Sequence, residues 1–373
     1  MTTIAILGGG QLGAYLCQAA VPLELKTRVL SVARDEPVWA LADVCVEGPL
    51  DSVKHVLEVA EQADVLTYEI EAIGPACLEA LAREAVVVRP DSGILLTLQN
   101  KIKQREFYAA HKFASPLWTA LTDVTHAHFE ALVDELGVPF VQKAATGGYD
   151  GRGVQVVRQR EDLRLDFGAS LFEALVPIRT ELGMLVARSA TGECKVYPPV
   201  EMRFHEDNIL DVAVCPARED ANVLAHAEAL SIQVIEALYG VGLFCIELFV
   251  DTHGEVLINE LAARVHNSGH LTLEACATSQ FEQHLRAVAG LPLGPVDVPV
   301  PAAMVNLLSQ PLPGADRFGY QPAHSDADAA VHWYMKHDAR PLRKMGHITA
   351  LGESHEQAIE RAKNKARQLG FEG

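Results

Sequence analysis

The chain is 373 residues long, 49% hydrophobic and 21% charged, a length beyond one comfortable core and a composition that excludes disorder. Its 49 acidic residues against 31 basic ones give a net charge of −18, a field that repels a phosphate backbone and argues against nucleic acid as a partner. Small anionic substrates stay compatible if Lys and Arg gather in a cleft between domains.

The seven cysteines, Cys17, Cys45, Cys77, Cys194, Cys215, Cys245 and Cys276, are odd in number and form no C-x-x-C pair, so they read as reduced, mostly buried thiols. No basic leader with an apolar core opens the sequence and no apolar run reaches membrane-spanning length. A cytoplasmic protein without membrane contact is expected.

Residues 2 to about 90 alternate short apolar runs (Ile4–Leu7, Val29–Val32, Val65–Thr67, Val86–Val88) with helical stretches, which predicts a doubly wound parallel sheet. Inside it, Gly8-Gly9-Gly10-Gln11-Leu12-Gly13 follows a strand and opens a helix, the G-x-G-x-x-G context of a dinucleotide site. Asp35 lies where an acidic residue would meet ribose hydroxyls. A nicotinamide-dependent dehydrogenase is therefore one reading, and a tight turn whose helix amides serve another ligand is the other.

A helix near Leu98–Lys112 comes next, and Ser115-Pro116 breaks the chain before a smaller unit that starts near Trp118 and ends near Ala169. It carries the run Thr146 to Gly153, whose exposed amides suit a polyphosphate, with Lys143 on the preceding strand; alone, the same run reads as a hairpin turn. We expect this unit to be a mobile lid. Glu173-Ala174-Leu175-Val176 then offers a strand end as an edge for adenine, with Glu181 for ribose hydroxyls.

From Glu181 onward, strand runs Met184–Ala187, Leu243–Val250 and Val256–Ile258 surround a helix at Asn222–Tyr239, an α+β pattern. Glu247 and Glu260 flank the turn Thr252-His253-Gly254, so a hairpin can set the two carboxylates side by side. Carboxylates in apolar strands are costly unless paired or metal-bound, and hard oxygen ligands suit Mg²⁺; Asn259 offers another oxygen. His266 and His270 stand four apart, but HNSGH lacks the Glu of a zinc protease motif and holds a Gly. His337 and His347 read as ordinary surface or packing residues. The Pro-rich stretch Leu291–Pro301 marks a boundary, and the remainder reads as a small appendage of short strands with a last helix near Glu356–Leu369.

Together these residues resemble the ATP-grasp superfamily and, more narrowly, its ligases that carboxylate 5-aminoimidazole ribonucleotide in purine biosynthesis. The most specific piece is Asn259-Glu260-Leu261-Ala262-Ala263-Arg264-Val265-His266-Asn267-Ser268-Gly269-His270. The first glycine motif, Tyr68-Glu69-Ile70-Glu71, Gly148-Tyr149-Asp150-Gly151-Arg152-Gly153 and Arg343-Lys344-Met345-Gly346-His347 follow in the family's order. The resemblance implies an N-terminal pre-ATP-grasp domain over residues 1–97, an ATP-grasp domain over 98–295 with its lid at about 118–170, and a small C-terminal domain over 296–373.

By the same resemblance, ATP phosphorylates bicarbonate to carboxyphosphate, which carboxylates the substrate amine. Lys101, Lys143, Gly148 to Val154, Glu173 to Val176, Glu181, His205, Asn259 and Glu260 would bind ATP, and Glu247 with Glu260 would hold Mg²⁺. Arg264, His266 and Asn267 would hold bicarbonate, while Tyr149, Asp150 and Arg152 would line the reacting centre. Gln11, Leu12, Glu69 and Ser268 would contact the ribonucleotide, and Lys336, Arg343 and Lys344 its phosphate. A homodimer is also implied. The chain departs from the family at Ala14 and Tyr15 (commonly Arg-Met), Ala72 (Asn), Lys101 (Arg), Val154 (Gln) and Ala263 (Pro). A ligase activating another carboxylate such as formate, and a non-catalytic nucleotide-binding module, are the remaining alternatives.

Overall fold

The computed structural model describes residues 1–148, 153–205, 208–309, 328–336 and 341–371. Three sheets organise them. The N-terminal sheet is parallel, in the order Val44–Glu47, Lys26–Ser31, Thr3–Leu7, Val65–Tyr68. Its helices Gln11–Ala20, Val53–Ala60 and Pro75–Arg83 supply the crossovers that parallel strands need. The run Val86–Val88 does not form a full strand; Val88 makes one isolated parallel bridge to Leu66.

The helix expected from Leu98 to Lys112 is two helices, Ser92–Leu98 and Lys101–Ala110. Asn100 makes the break, because its side chain accepts from the amides of Ile102 and Lys103 at 3.0 and 3.2 Å and so starts a new helix. That cap puts Lys101 on the first turn, facing the site.

The second sheet is antiparallel, in the order Trp118–Leu121, Ser170–Ala174, Phe140–Ala144, Val154–Val157. It has its own small core, including Leu132, Phe140, Val157 and Phe172. This sheet extends past Ala169, the expected end of the unit, because Ser170–Ala174 pairs on both edges and becomes an interior strand.

The third and largest sheet runs Val256–Ala262, Gly242–Asp251, Ile178–Arg188, Val200–Phe204, Leu210–Cys215, Ala302–Leu308, Lys344–Leu351, Ala330–Trp333, with Cys194–Val196 added beside Ile178–Arg188. The last three strands in that order come from the expected appendage. They are not a separate layer, since Ala302–Leu308 pairs directly with Leu210–Cys215 and extends the same sheet. Helix Ala221–Leu238 covers part of it, and the final helix His355–Gln368 packs on its C-terminal strands.

Helix Gln280–Ala289 packs between this sheet and helix Gln11–Ala20 of the N-terminal domain. At its centre the backbone amide of Leu243 donates to His284 Nδ1 at 3.1 Å, so Nε2 carries the proton and donates to Thr67 Oγ1 at 2.7 Å. Burial lowers the His284 pKa to about 4, so this bridge between domains is neutral. Among the described residues no helix is long and apolar enough to cross a membrane.

Candidate active site

Glu247 and Glu260 are direct cross-strand partners, and facing residues of an antiparallel pair project to the same side. The register then slips, Leu248 pairing with Ile258, which leaves Asn259 as an extra residue. Such a bulge re-aims a side chain that strict alternation would turn away. Asn259 Nδ2 donates to Glu247 Oε2 at 3.3 Å, and its Oδ1 accepts from Lys143 Nζ at 2.9 Å.

Glu181 joins from the neighbouring strand, where it pairs with Phe249, two residues from Glu247 on the same face. Burial pushes its carboxyl up to about 7, and the charge of Glu247 adds to the rise while Lys143 opposes it. Carboxylates and an amide oxygen crowded on one face form a hard-donor set that fits Mg²⁺.

Cations line the adjoining wall. Lys101 Nζ lies 2.5 Å from Glu260 Oε1, Lys143 Nζ 2.7 Å from Glu173 Oε2, and Arg105 Nε donates to Glu173 Oε1 at 2.5 Å. Arg105 is only 1% exposed and also donates to the Asn259 carbonyl at 2.8 Å. Burial works to raise the Glu173 carboxyl, but Lys143 and Arg105 prevail and hold it below the ordinary range. Burial likewise pushes the Lys143 ammonium down, against the pull of Glu173. Lys101, Arg105, Lys143, Asn259 and Glu260, with Gln104 and Leu171, surround a small cavity in which cations outnumber carboxylates, the balance a phosphate requires.

The expected adenine edge is therefore corrected in part. Glu173 is not presented at an open edge, because its strand is interior to the small sheet and its carboxylate is consumed by two ion pairs. Ala174, the exposed Leu175 and Val176 remain as a backbone edge. His205 is exposed just past the strand whose Met202 pairs with Glu181. Tyr149, Asp150, Gly151 and Arg152, like His337, lie outside the described residues. Gly147, Gly148, Gly153 and Val154 flank that gap at the mouth of the Phe140–Ala144 and Val154–Val157 hairpin.

Beyond Glu260 the chain carries the acceptor segment. His266 Nε2 lies 3.3 Å from Glu247 Oε1, and His266 Nδ1 accepts from the Ser268 amide at 3.3 Å. Burial opposes charge on this ring, yet Cys245 and Glu247 beside it raise its pKa above the ordinary imidazole range. Glu247 thus touches both Asn259 and His266. Ser268 is fully buried against His266, so it supports that ring and does not present its hydroxyl to a ligand. Asn267 exchanges hydrogen bonds with Asn306 at 3.1 and 2.7 Å. Arg264 Nε sits 3.2 Å from Glu71 Oε1.

The first glycine loop shows why it is not a dinucleotide cradle. A Cβ on Gly8, whose φ is +110°, would stand 2.5 Å from Glu69 Oε1, and one on Gly9 would stand 2.4 Å from Glu36 Oε2. Two carboxylates fill the space a pyrophosphate would need, and like charges exclude it. The glycines make room for Glu69, which accepts from the Gly10 amide at 3.0 Å. Gln11 is partly exposed, whereas Leu12 is buried in the core and its side chain is not available to a ligand. Lys336 Nζ donates to the Lys344 backbone carbonyl at 2.8 Å, and burial lowers the pKa of the Arg343 guanidinium against the charge of Asp35.

Burial lifts the Glu69 carboxyl to about 7, with the Gly10 amide and Arg264 opposing the rise. Its folded pKa stands above the unfolded value, so the native state binds more protons between about pH 4.5 and 7, and that stability is lost as pH rises through the folded pKa. Glu181 acts in the same direction. Glu69→Gln is expected to flatten the decline of the thermal midpoint across that window, and an unchanged slope would remove Glu69 as its source.

Sequence reasoning missed four residues here: Arg105, Glu71, Glu36 and Asn306. Arg105 had a signal, since it stands four residues after Lys101 on one helix and therefore on the same face. Asn306 had one too, as a polar residue in the apolar strand AAMVNLL. Glu71 stood in the run Tyr68-Glu69-Ile70-Glu71 without a role of its own, and Glu36 carried no local mark that sets it apart from other acidic residues.

A paired-carboxylate hairpin, a cation-lined cavity and a glycine-flanked hairpin over them define an ATP-grasp ligase. Residues 106–281 match the ATP-grasp domain, residues 1–99 the ribonucleotide synthetase preATP-grasp domain, and residues 302–361 the phosphoribosylaminoimidazole carboxylase C-terminal domain. The N5-carboxyaminoimidazole ribonucleotide synthase of Mycobacterium bovis is 39% identical over 98% of this chain and 87% of its own length. The enzyme of that name from Bacillus subtilis is 34% identical over 97% and 94%. The crystal structure of N5-carboxyaminoimidazole synthase from Aspergillus clavatus with ADP and 5-aminoimidazole ribonucleotide matches with a TM-score of 0.87 and 29% identity over 99% of this chain and 98% of that one. The chain belongs to the N5-carboxyaminoimidazole ribonucleotide synthase family.

Proposed function

We infer that this chain is the purine-biosynthetic ligase of its family, carboxylating 5-aminoimidazole ribonucleotide to N5-carboxyaminoimidazole ribonucleotide at the expense of ATP. The observation that carries the reading is the continuity of one strand. Glu260, beside the cation cavity, runs within a few residues into Arg264, His266 and Asn267, and Glu247 links the two sets by contacting both Asn259 and His266. Phosphoryl donor and acceptor are thereby held side by side.

Bicarbonate is a poor electrophile, and phosphorylation to carboxyphosphate gives it a leaving group. Lys101, Lys143 and Arg105 bring positive charge to the cavity that receives the nucleotide phosphates, and by the family resemblance Tyr149, Asp150 and Arg152 serve the reacting centre. Glu247, Asn259 and Glu260 hold Mg²⁺, which when bound neutralises charge on the transferred phosphoryl. Arg264 and His266 orient bicarbonate, with Asn267 beside them. Glu69 and Gln11 face the aminoimidazole ribonucleoside, and Lys336, Arg343 and Lys344 take its phosphate. The small sheet acts as a lid that keeps water from a fragile intermediate. We place the enzyme in the cytoplasm as a homodimer, with domain limits at residues 1–97, 98–295 and 296–373.

ADP release, with ribonucleotide and bicarbonate omitted in turn, tests this reading: turnover requires both, and hydrolysis indifferent to the ribonucleotide overturns it. Lys344→Ala is expected to raise the KM for the ribonucleotide by about tenfold or more with little change in kcat, the mark of lost uniform binding. An unchanged KM removes Lys344 from the phosphate site.

A further inference from the structure

A second group of ligating side chains lies where the C-terminal strands meet the segment after Asn267. Glu274 on the short helix Thr272–Ala275, His332 on Ala330–Trp333 and His347 on Lys344–Leu351 bring one ligand atom each to within 4.8 Å of the others. His332 and His347 are cross-strand partners, and their rings stack with centroids 4.4 Å apart. His332 Nε2 lies 2.6 Å from Glu274 Oε1.

Two atoms of this group are unsatisfied. His347 is fully buried, with Nδ1 2.8 Å from Tyr334 Oη, yet its Nε2 has no hydrogen-bond partner among the described residues, and neither has Glu274 Oε2. Buried polar atoms are rarely left so, and a proton on either one satisfies only one of them. A cation bound by both satisfies the two together. The Tyr334 hydroxyl on the far nitrogen of His347 is the outer-shell contact that fixes a ligating imidazole. Tyr15, a departure from the family pattern, walls the group, its ring centroid 5.9 Å from that of His332 and 6.2 Å from that of His347.

We propose that Glu274, His332 and His347 bind a divalent first-row transition-metal cation of the Zn²⁺ class, separate from the Mg²⁺ held by Glu247 and Glu260. Two imidazoles and one carboxylate favour such an ion over Mg²⁺, and three protein ligands leave one position open. His270 stands beside it: its Nδ1 accepts from Gln280 Nε2 at 3.1 Å, so its Nε2 carries a proton, is without a partner among the described residues, and suits an anionic or water ligand in the open position. Ligation through His332 Nε2 replaces its hydrogen bond to Glu274, and the ring keeps its one proton on Nδ1. The metal's effect is to clip the strand Ala330–Trp333, which leads to Lys336, to the strand Lys344–Leu351, which begins at Lys344.

The test is a Co²⁺ titration of the untagged, metal-stripped full chain in excess Mg²⁺, read by visible d–d absorption. One Co²⁺ per chain, with the strong bands of a low-coordinate site and displacement by Zn²⁺, is the expected result. His332→Gln, at a partly exposed position that tolerates it, is expected to weaken Co²⁺ binding by about 100-fold or more, while Glu260→Gln leaves the titration unchanged. Absence of the bands in the unsubstituted chain, or an identical titration of His332→Gln, overturns the proposal.

Discussion

Glu260→Gln is expected to lower kcat for ADP release by about 10³-fold, roughly 4 kcal/mol of barrier, because it removes one of two facing metal carboxylates while keeping the side chain's shape. The fold should survive. The Glu260 side chain is 40% exposed in its pair with Lys101, and partly exposed ion pairs contribute little to stability. The variant is compared with the parent by initial-rate ADP assays over a range of Mg²⁺ and by a thermal melt. Activity within tenfold of the parent at saturating Mg²⁺ would remove Glu260 from the metal site, whereas lost activity with an unchanged melt assigns it a chemical role. Charge at Glu260 also holds Lys101 in place, so the same substitution should raise the ATP KM.

The second large effect is on stability. Arg105→Met leaves Glu173 buried with Lys143 as its sole ionic partner and strips the Asn259 carbonyl of a donor. Removing one side of a buried ion pair costs about 3–5 kcal/mol, far above the value of a surface pair. A fall of that size in the unfolding free energy from urea titration is expected. Arg105→Met combined with Glu173→Met is expected to recover part of the loss, since two apolar side chains leave no uncompensated charge. If the two substitutions simply add, the interaction between Arg105 and Glu173 is not what holds the small sheet to the helix Lys101–Ala110. Both variants should bind nucleotide poorly, because the cavity loses a cation in each.

Much of the architecture was legible in sequence because it is local. The strand, glycine turn and helix at the N-terminus, the alternation that follows, and the hairpin around Thr252-His253-Gly254 all follow from backbone periodicity and turn chemistry over a few residues. Glu247 and Glu260 face one another because a short turn joins their strands, and Glu260 leads to His266 because the chain is continuous. Asn100 was equally local, yet its capping role was hidden inside a helical pattern and surfaced only as a split helix.

What tertiary structure alone decided is the company these residues keep. The bulge that turns Asn259 toward Glu247, the burial of Arg105 and Glu173, the carboxylates of Glu36 and Glu69 inside the glycine loop, and the joining of the last strands to the large sheet depend on register and strand order. His347, ordinary by sequence, meets His332 and Glu274 only because two strands pair beside a short helix. Sequence spacing encodes which face of an element a side chain takes, and that sufficed for the paired glutamates. Which partners wait across the interface is set by packing between segments far apart in the chain, so the ion pairs and the histidine group had to be seen in three dimensions.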